Sequence, residues 1–186
     1  MNRWIKKGAG FFLYKVWGWK ADVTFVPRDK CILCVAPHTS NLDFFVANLY
    51  YTSLGRRAHF LMKKEWFVWP LGVIFRSMGG IAVDRSRHGN LTDFLAEKAS
   101  SSPVFELAIT PEGTRSRCSQ WKRGFYYIAL KAGMPIQLYA LDYAGKRIVG
   151  HVELQPTGDV DADMRRIQTY YKSFVGRHPE RFSAGL

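Results

Sequence analysis

The chain has 186 residues, 47% of them apolar, and 27 lysines and arginines against 15 acids give a formal charge of +12. That length and apolar content exclude a disordered polypeptide and suit one domain with a real core. Three cysteines exclude a complete disulfide framework, and no apolar run reaches the ~18–20 residues that span a bilayer.

Residues 1–20 carry Arg3, Lys6, Lys7, Lys15 and Lys20 and no acid, interleaved with Trp4, Ile5, Phe11, Phe12, Leu13, Tyr14, Val16, Trp17 and Trp19. This predicts a helix or helical hairpin, broken near Gly8 and Gly10, lying in the headgroup layer of an anionic bilayer, where Trp, Tyr and Lys collect. The alternative is an N-terminal helix packed on the domain. Lys15 and the Trp17-Gly18-Trp19 turn interrupt its apolar part, unlike a signal peptide.

A strand is expected over 22–26, then a buried one over Cys31–Ala36. Cys31 and Cys34, three apart on a strand, point to opposite faces, so they make neither a redox pair nor a metal clamp. Both read as buried thiols of a reducing compartment. A helix follows from Asn41 to about Ser53, then a short strand over Ala58–Met62. The segment from Lys63 to Phe75 is strongly apolar and aromatic, with Pro70 as a helix start or kink. It suits either core or a second membrane-facing patch.

Gly79-Gly80 turns into a strand over Ile81–Val83, and residues 89–100 form an amphipathic helix. Val104–Ile109 is a buried strand, and Phe125–Ala132 a helix with Gly133 as its cap. Strands over Pro135–Leu141 and Arg147–Glu153 precede a last helix, Asp159 to about Val175, with an acidic first turn. Alternating strands and helices indicate an α/β fold: a single domain with a mixed, mostly parallel sheet flanked by helices. Residues 1–20 form the membrane-interface segment and 21–186 the α/β domain.

Three strands end in polar chemistry. The first runs into His38-Thr39-Ser40-Asn41-Leu42-Asp43. Five residues apart on one helix, His38 and Asp43 would sit ~140° apart and not meet. They meet if His38 occupies the turn and Asp43 the first helical turn, with Thr39, Ser40 and Asn41 turning and capping the chain. Asp43 then orients the imidazole and leaves its other nitrogen as a general base. The plain alternative is a capped helix with a hydrogen-bonded loop histidine. The second strand ends at Arg85, and the third at Glu112-Gly113-Thr114-Arg115. Parallel neighbours would bring all three ends to one sheet edge, placing a base beside arginine forks that match phosphate oxygens. The alternative is that one or both arginines pair with Asp84, Glu112 or surface acids.

This set resembles the glycerolipid acyltransferases of the lysophosphatidic acid type, and most of all their short bacterial members. His38 to Asp43 matches that family's His-x4-Asp block, Gly79 to Arg85 its second, Pro111-Glu112-Gly113-Thr114-Arg115 its third and Met134-Pro135-Ile136 its fourth. Pro37, Ala82, Thr110 and Leu138 depart from its usual residues. The resemblance implies transfer of a fatty acyl group from acyl-CoA or acyl-carrier protein, as co-substrate, to a lysophospholipid hydroxyl, most simply that of 1-acyl-glycerol 3-phosphate, in phospholipid synthesis. His38 and Asp43 would be catalytic, Arg85 and Arg115 would bind phosphate, and Glu112, Gly113 and Thr114 would shape the glycerol site. Neither cofactor nor metal is implied. The protein would be peripheral on the cytoplasmic face of the inner membrane, bound to anionic lipid. Competing readings are O-acylation of a lyso-aminoacyl lipid, a thioesterase, and a non-enzymatic basic-aromatic nucleic-acid module. The last explains the charge but not the three strand ends, so no nucleic acid partner is expected.

Overall fold

The computed structural model describes residues 2–83 and 91–185. Seven strands form one sheet: β1 (Lys20–Val23), β2 (Lys30–Ala36), β3 (His59–Lys63), β4 (Gly80–Val83), β5 (Phe105–Ile109), β6 (Ile136–Asp142) and β7 (Arg147–Leu154). Their spatial order is β1-β7-β6-β2-β5-β3-β4. Every neighbouring pair is parallel except β6 and β7, which form an antiparallel hairpin. The α/β fold with a mixed, mostly parallel sheet is thus the observed one.

β2 sits at the centre because its apolar run can be covered on both faces. Cys31, Leu33 and Val35 enter a cluster with Val46, Tyr50 and Tyr51. Ile32, Cys34 and Ala36 enter the opposite cluster, with Leu95, Phe125 and Ile167. The two thiols therefore do face apart, both buried, and burial pushes each up to about 12.

The helices are α1 (Arg3–Gly10), α2 (Leu42–Ser53), α3 (Leu71–Ser77), α4 (Leu91–Ser101), α5 (Gly124–Ala132) and α6 (Val160–Tyr171). The crossovers β2-α2-β3 and β3-α3-β4 advance in one direction along the sheet, and those through α4 and α5 return. Right-handed crossovers thereby put α2 and α3 on one face and α4 and α5 on the other. Gly133 caps α5 in the left-handed region, φ 63°. Asp159 caps α6, accepting the Ala162 N–H at 3.0 Å.

The largest departure from expectation is at the N-terminus. Gly8 and Gly10 break nothing: α1 runs straight on into a π-helical stretch, Phe11–Val16. α1 packs against α2 at Gly10, where even a Cβ would meet Ser53 Cβ at an ordinary contact distance of 3.6 Å. Leu13 is 0% exposed and Trp19 is buried, both in the cluster under α2. One edge of the segment is therefore built into the domain, while Trp4, Ile5, Phe11, Phe12 and Val16 stay exposed.

Candidate active site

β2, β5 and β6 are parallel neighbours, with Cys34 opposite Ile109 and Ala36 opposite Ala140. Their C-terminal ends deliver His38, Glu112 and Tyr143 to one edge. Between His38 and α2 the chain builds a capping box. Ser40 Oγ accepts the Leu42 N–H at 3.2 Å, and Asp43 Oδ2 reaches back to accept the Thr39 and Ser40 N–H groups, each at 2.8 Å. Asn41 precedes the helix without a side-chain cap bond. Thr39 does not cap either; its Oγ1 accepts the His178 N–H at 3.1 Å.

Folding back in this way brings Asp43 Oδ2 to 3.2 Å from His38 Nδ1. That is ion-pair distance, but the alignment falls short of a hydrogen bond, and Nδ1 is buried without another partner among the described residues. Asp43 Oδ1 accepts the Tyr143 hydroxyl at 2.6 Å. Burial alone would push the Asp43 carboxyl up. The His38 imidazole beside it, with the bonds from the Tyr143 hydroxyl and the Ser40 backbone, outweighs burial and holds Asp43 below its ordinary value, hence ionised. Burial first, and then the bond to Asp43, push the Tyr143 phenol up, so Tyr143 remains a donor.

Glu112 is 1% exposed, and its Oε1 accepts the His38 backbone N–H at 2.7 Å. Burial pushes it up to about 8, with the Asp43 charge adding to the rise and the His38 N–H opposing it. Its carboxyl therefore fixes the His38 backbone from behind, a contact the sequence did not suggest. Gly113 follows with φ 67°, the left-handed region that favours glycine. Thr114 Oγ1 accepts the Ser116 N–H. Arg115 is exposed and pairs with no acid among the described residues. Arg85 lies outside the described residues. β4, the strand leading to it, is the sheet's edge strand, three places from β2.

Two contributors escaped the sequence reading. One is Tyr143, the first residue after β6. The signal was present, since a polar aromatic directly follows a buried strand, but only the β2–β6 pairing shows where that strand ends. The other is the segment at Val175–His178, whose Val175 carbonyl accepts the Tyr143 N–H at 2.8 Å. A cavity of about 500 Å³ also runs along α2, from Phe44 beside Asp43 to Thr52 and Arg56. Leu33, Val35, Tyr139 and Leu141 of the sheet line it. Near that far end Glu106 is buried but satisfied, by Tyr51 Oη at 2.7 Å and Arg56 Nε at 2.8 Å.

The acyltransferase family model matches residues 21–140, well over half the chain. The chain belongs to the acyltransferase family. The acyltransferase also superposes on a crystal structure described as the 1-acyl-sn-glycerophosphate (LPA) acyltransferase, PlsC, from Thermotoga maritima, with a TM-score of 0.64 at 19% identity. That match covers 91% of this chain and 76% of the other, and at this identity it speaks for the fold. No curated protein sequence matches the chain. Within the family fold, an ionised carboxylate beside an imidazole whose other nitrogen is uncommitted is the arrangement a general base needs.

Proposed function

We propose that this acyltransferase moves a fatty acyl group from an acyl thioester, acyl-CoA or acyl-carrier protein, to the free hydroxyl of a lysophospholipid, most simply 1-acyl-glycerol 3-phosphate. The observation that carries the reading is the His38–Asp43 pair at the start of α2, the helix whose Phe44 and Thr52 line the cavity, with Glu112 on the His38 backbone and exposed Arg115 three residues beyond it. The cavity suits an acyl chain, and the guanidinium a phosphate.

His38 Nε2 takes the proton of the acceptor hydroxyl as its oxygen attacks the thioester carbonyl. Asp43 holds the imidazole tautomer and offsets the imidazolium charge. The tetrahedral intermediate collapses with loss of the thiolate, which recovers the proton from His38. An ester bond forms and a thioester bond breaks, so the step needs no oxidant or reductant. Tyr143 and Glu112 act on Asp43 and on the His38 backbone.

The reading puts the enzyme on a bilayer. No helix among the described residues is long and apolar enough to cross a membrane, and the exposed apolar and basic residues of α1 suit an anionic surface. The test is a panel of lyso-lipids with a labelled acyl thioester, reading both ester formation and thiol release. Ester on 1-acyl-glycerol 3-phosphate is expected, and His38→Ala should lower turnover by about 10²–10⁴. Near wild-type turnover in that variant would overturn the mechanism. Thiol release without ester on any acceptor would indicate a thioesterase. For Arg115, Arg115→Ala and Arg115→Lys should both cut the specificity constant for the phosphorylated acceptor by about 10–100-fold, because lysine lacks the planar fork. An equal loss with a phosphate-free lyso-lipid would assign Arg115 to the donor.

A further inference from the structure

The exposed face of the segment after β3 is unlike ordinary protein surface. Trp66, Val68, Trp69, Leu71, Val73 and Ile74 are all exposed, Trp69 to 86%. They do not hang on a loose loop. Trp66 closes a 3₁₀ turn, with the Phe67 N–H on the Lys64 carbonyl at 2.9 Å. The Gly72 N–H binds the Val68 carbonyl at 2.6 Å. Underneath, the Phe67 ring stands 6.2 Å from Phe75 and takes the Arg76 guanidinium at 5.4 Å. The backbone is thus tied inward while the apolar side chains point out, at the expense of several hydrophobic groups left in water.

This patch shares a face of the molecule with the N-terminal helix. The α2 cavity links them: Asn2 and Ile5 at the start of α1 line it, and so do Ser77 and Met78 at the end of α3, directly after the patch. Exposed cations flank the patch, namely Arg57, Lys63, Lys64 and Arg76, and Glu65 is the single acid between Lys63 and Val83. A second copy of the chain docked here across a two-fold would bring those cations together. An anionic bilayer answers both features: tryptophans take the interface, and the lysines and arginines take the headgroups.

We propose that residues 66–74 are a second membrane-insertion element, which enters the same leaflet as α1 and seats the protein on lipid at two points astride the cavity. The proposal rests on the bilayer reading given above and adds to it a specific buried surface. α1 and the π-helical stretch after it contribute Trp4, Ile5, Phe11 and Phe12 on one side, and the 66–74 wedge contributes its tryptophans on the other. With two points of contact the protein cannot rotate freely on the surface, so the cavity between them is held against the lipid layer from which an acyl chain arrives.

The test labels Val73→Cys with an environment-sensitive fluorophore in a Cys118→Ser background, Cys31 and Cys34 being buried. Tyr127→Cys on α5, across the sheet, serves as the control position. Vesicles of phosphatidylglycerol and phosphatidylethanolamine should shift the label at 73 to the blue, bromination of the acyl chains should quench it, and the label at 127 should not respond. Trp69→Ser/Ile74→Ser should weaken vesicle binding at least about tenfold and leave thermal unfolding of the free protein unchanged. That loss should persist at high salt, where an electrostatic contribution is screened. If the wild type binds vesicles while the label at 73 stays in water, this inference fails and the bilayer reading survives. If the wild type does not bind at all, both fail. A blue shift that needs no vesicles and grows with protein concentration would make the patch a self-association surface and overturn the proposal.

Discussion

Asp43 receives the Thr39 and Ser40 N–H groups and the Tyr143 hydroxyl while facing His38. Tyr143→Phe removes one charge-assisted bond, an effect of about 1.5–3 kcal/mol. Because that bond helps hold the Asp43 carboxyl down, its loss should lower kcat and move the acid limb of the pH–rate profile to higher pH. A purely structural tyrosine would leave the limb in place. Glu112 behaves in the opposite sense. Its folded value is raised to about 8, so the native state binds its proton more tightly than the unfolded chain does. The stability this contributes is complete below the ordinary glutamate value and lost as pH rises through about 8. Glu112→Gln keeps an acceptor for the His38 N–H, and should flatten the fall in unfolding free energy across that window, read by denaturant titration at several pH values. His38 and Asp43 were legible in the sequence because their spacing fits a turn followed by a first helical turn. Glu112 was legible as a site residue, but its contact with His38 depends on the β2–β5 pairing, which no local pattern records.

The elements were mostly readable, since alternating apolar runs and turn residues locate strands and helices to within a few positions. α2 begins at Leu42 and β5 at Phe105, close to the expected starts. The N-terminal segment was misread because Gly8 and Gly10 look like breakers in isolation. What the local pattern does not record is the packing of this helix on α2, far along the chain, with Leu13 in the cluster beneath it. Leu13→Ala tests how far this segment belongs to the fold. A fully buried leucine truncated to alanine costs about 2–5 kcal/mol. The expected outcome is one cooperative thermal transition at a lower Tm, whereas a segment merely resting on lipid would show no change in free protein. Deleting residues 1–20 should likewise destabilise the domain, through loss of Leu13 and Trp19 from its core.

For the whole molecule, the sequence indicates a mostly parallel sheet but leaves the strand order open. β1 adds to the outer side of β7 and closes the sheet there, a pairing between residues more than a hundred positions apart. Net charge, unlike order, is plain in the sequence, and +12 sets a measurable expectation: binding to anionic vesicles should weaken as salt rises, leaving a salt-resistant remainder from inserted aromatics. The active site makes the strongest use of long connections. The His38–Asp43 pair is held by Glu112 at a separation of 74 residues, by Tyr143 at 100, and through Thr39 by His178 at 139. Contacts so distant require the loops between them to close first. A nascent chain that has reached only α2 carries His38 and Asp43 but none of these three partners. The order of synthesis acts as a delay: the His38–Asp43 pair has its full set of partners only when the stretch around Val175 and His178 has been made and has folded back, so a chain stopped short of it would carry the motif and lack that support.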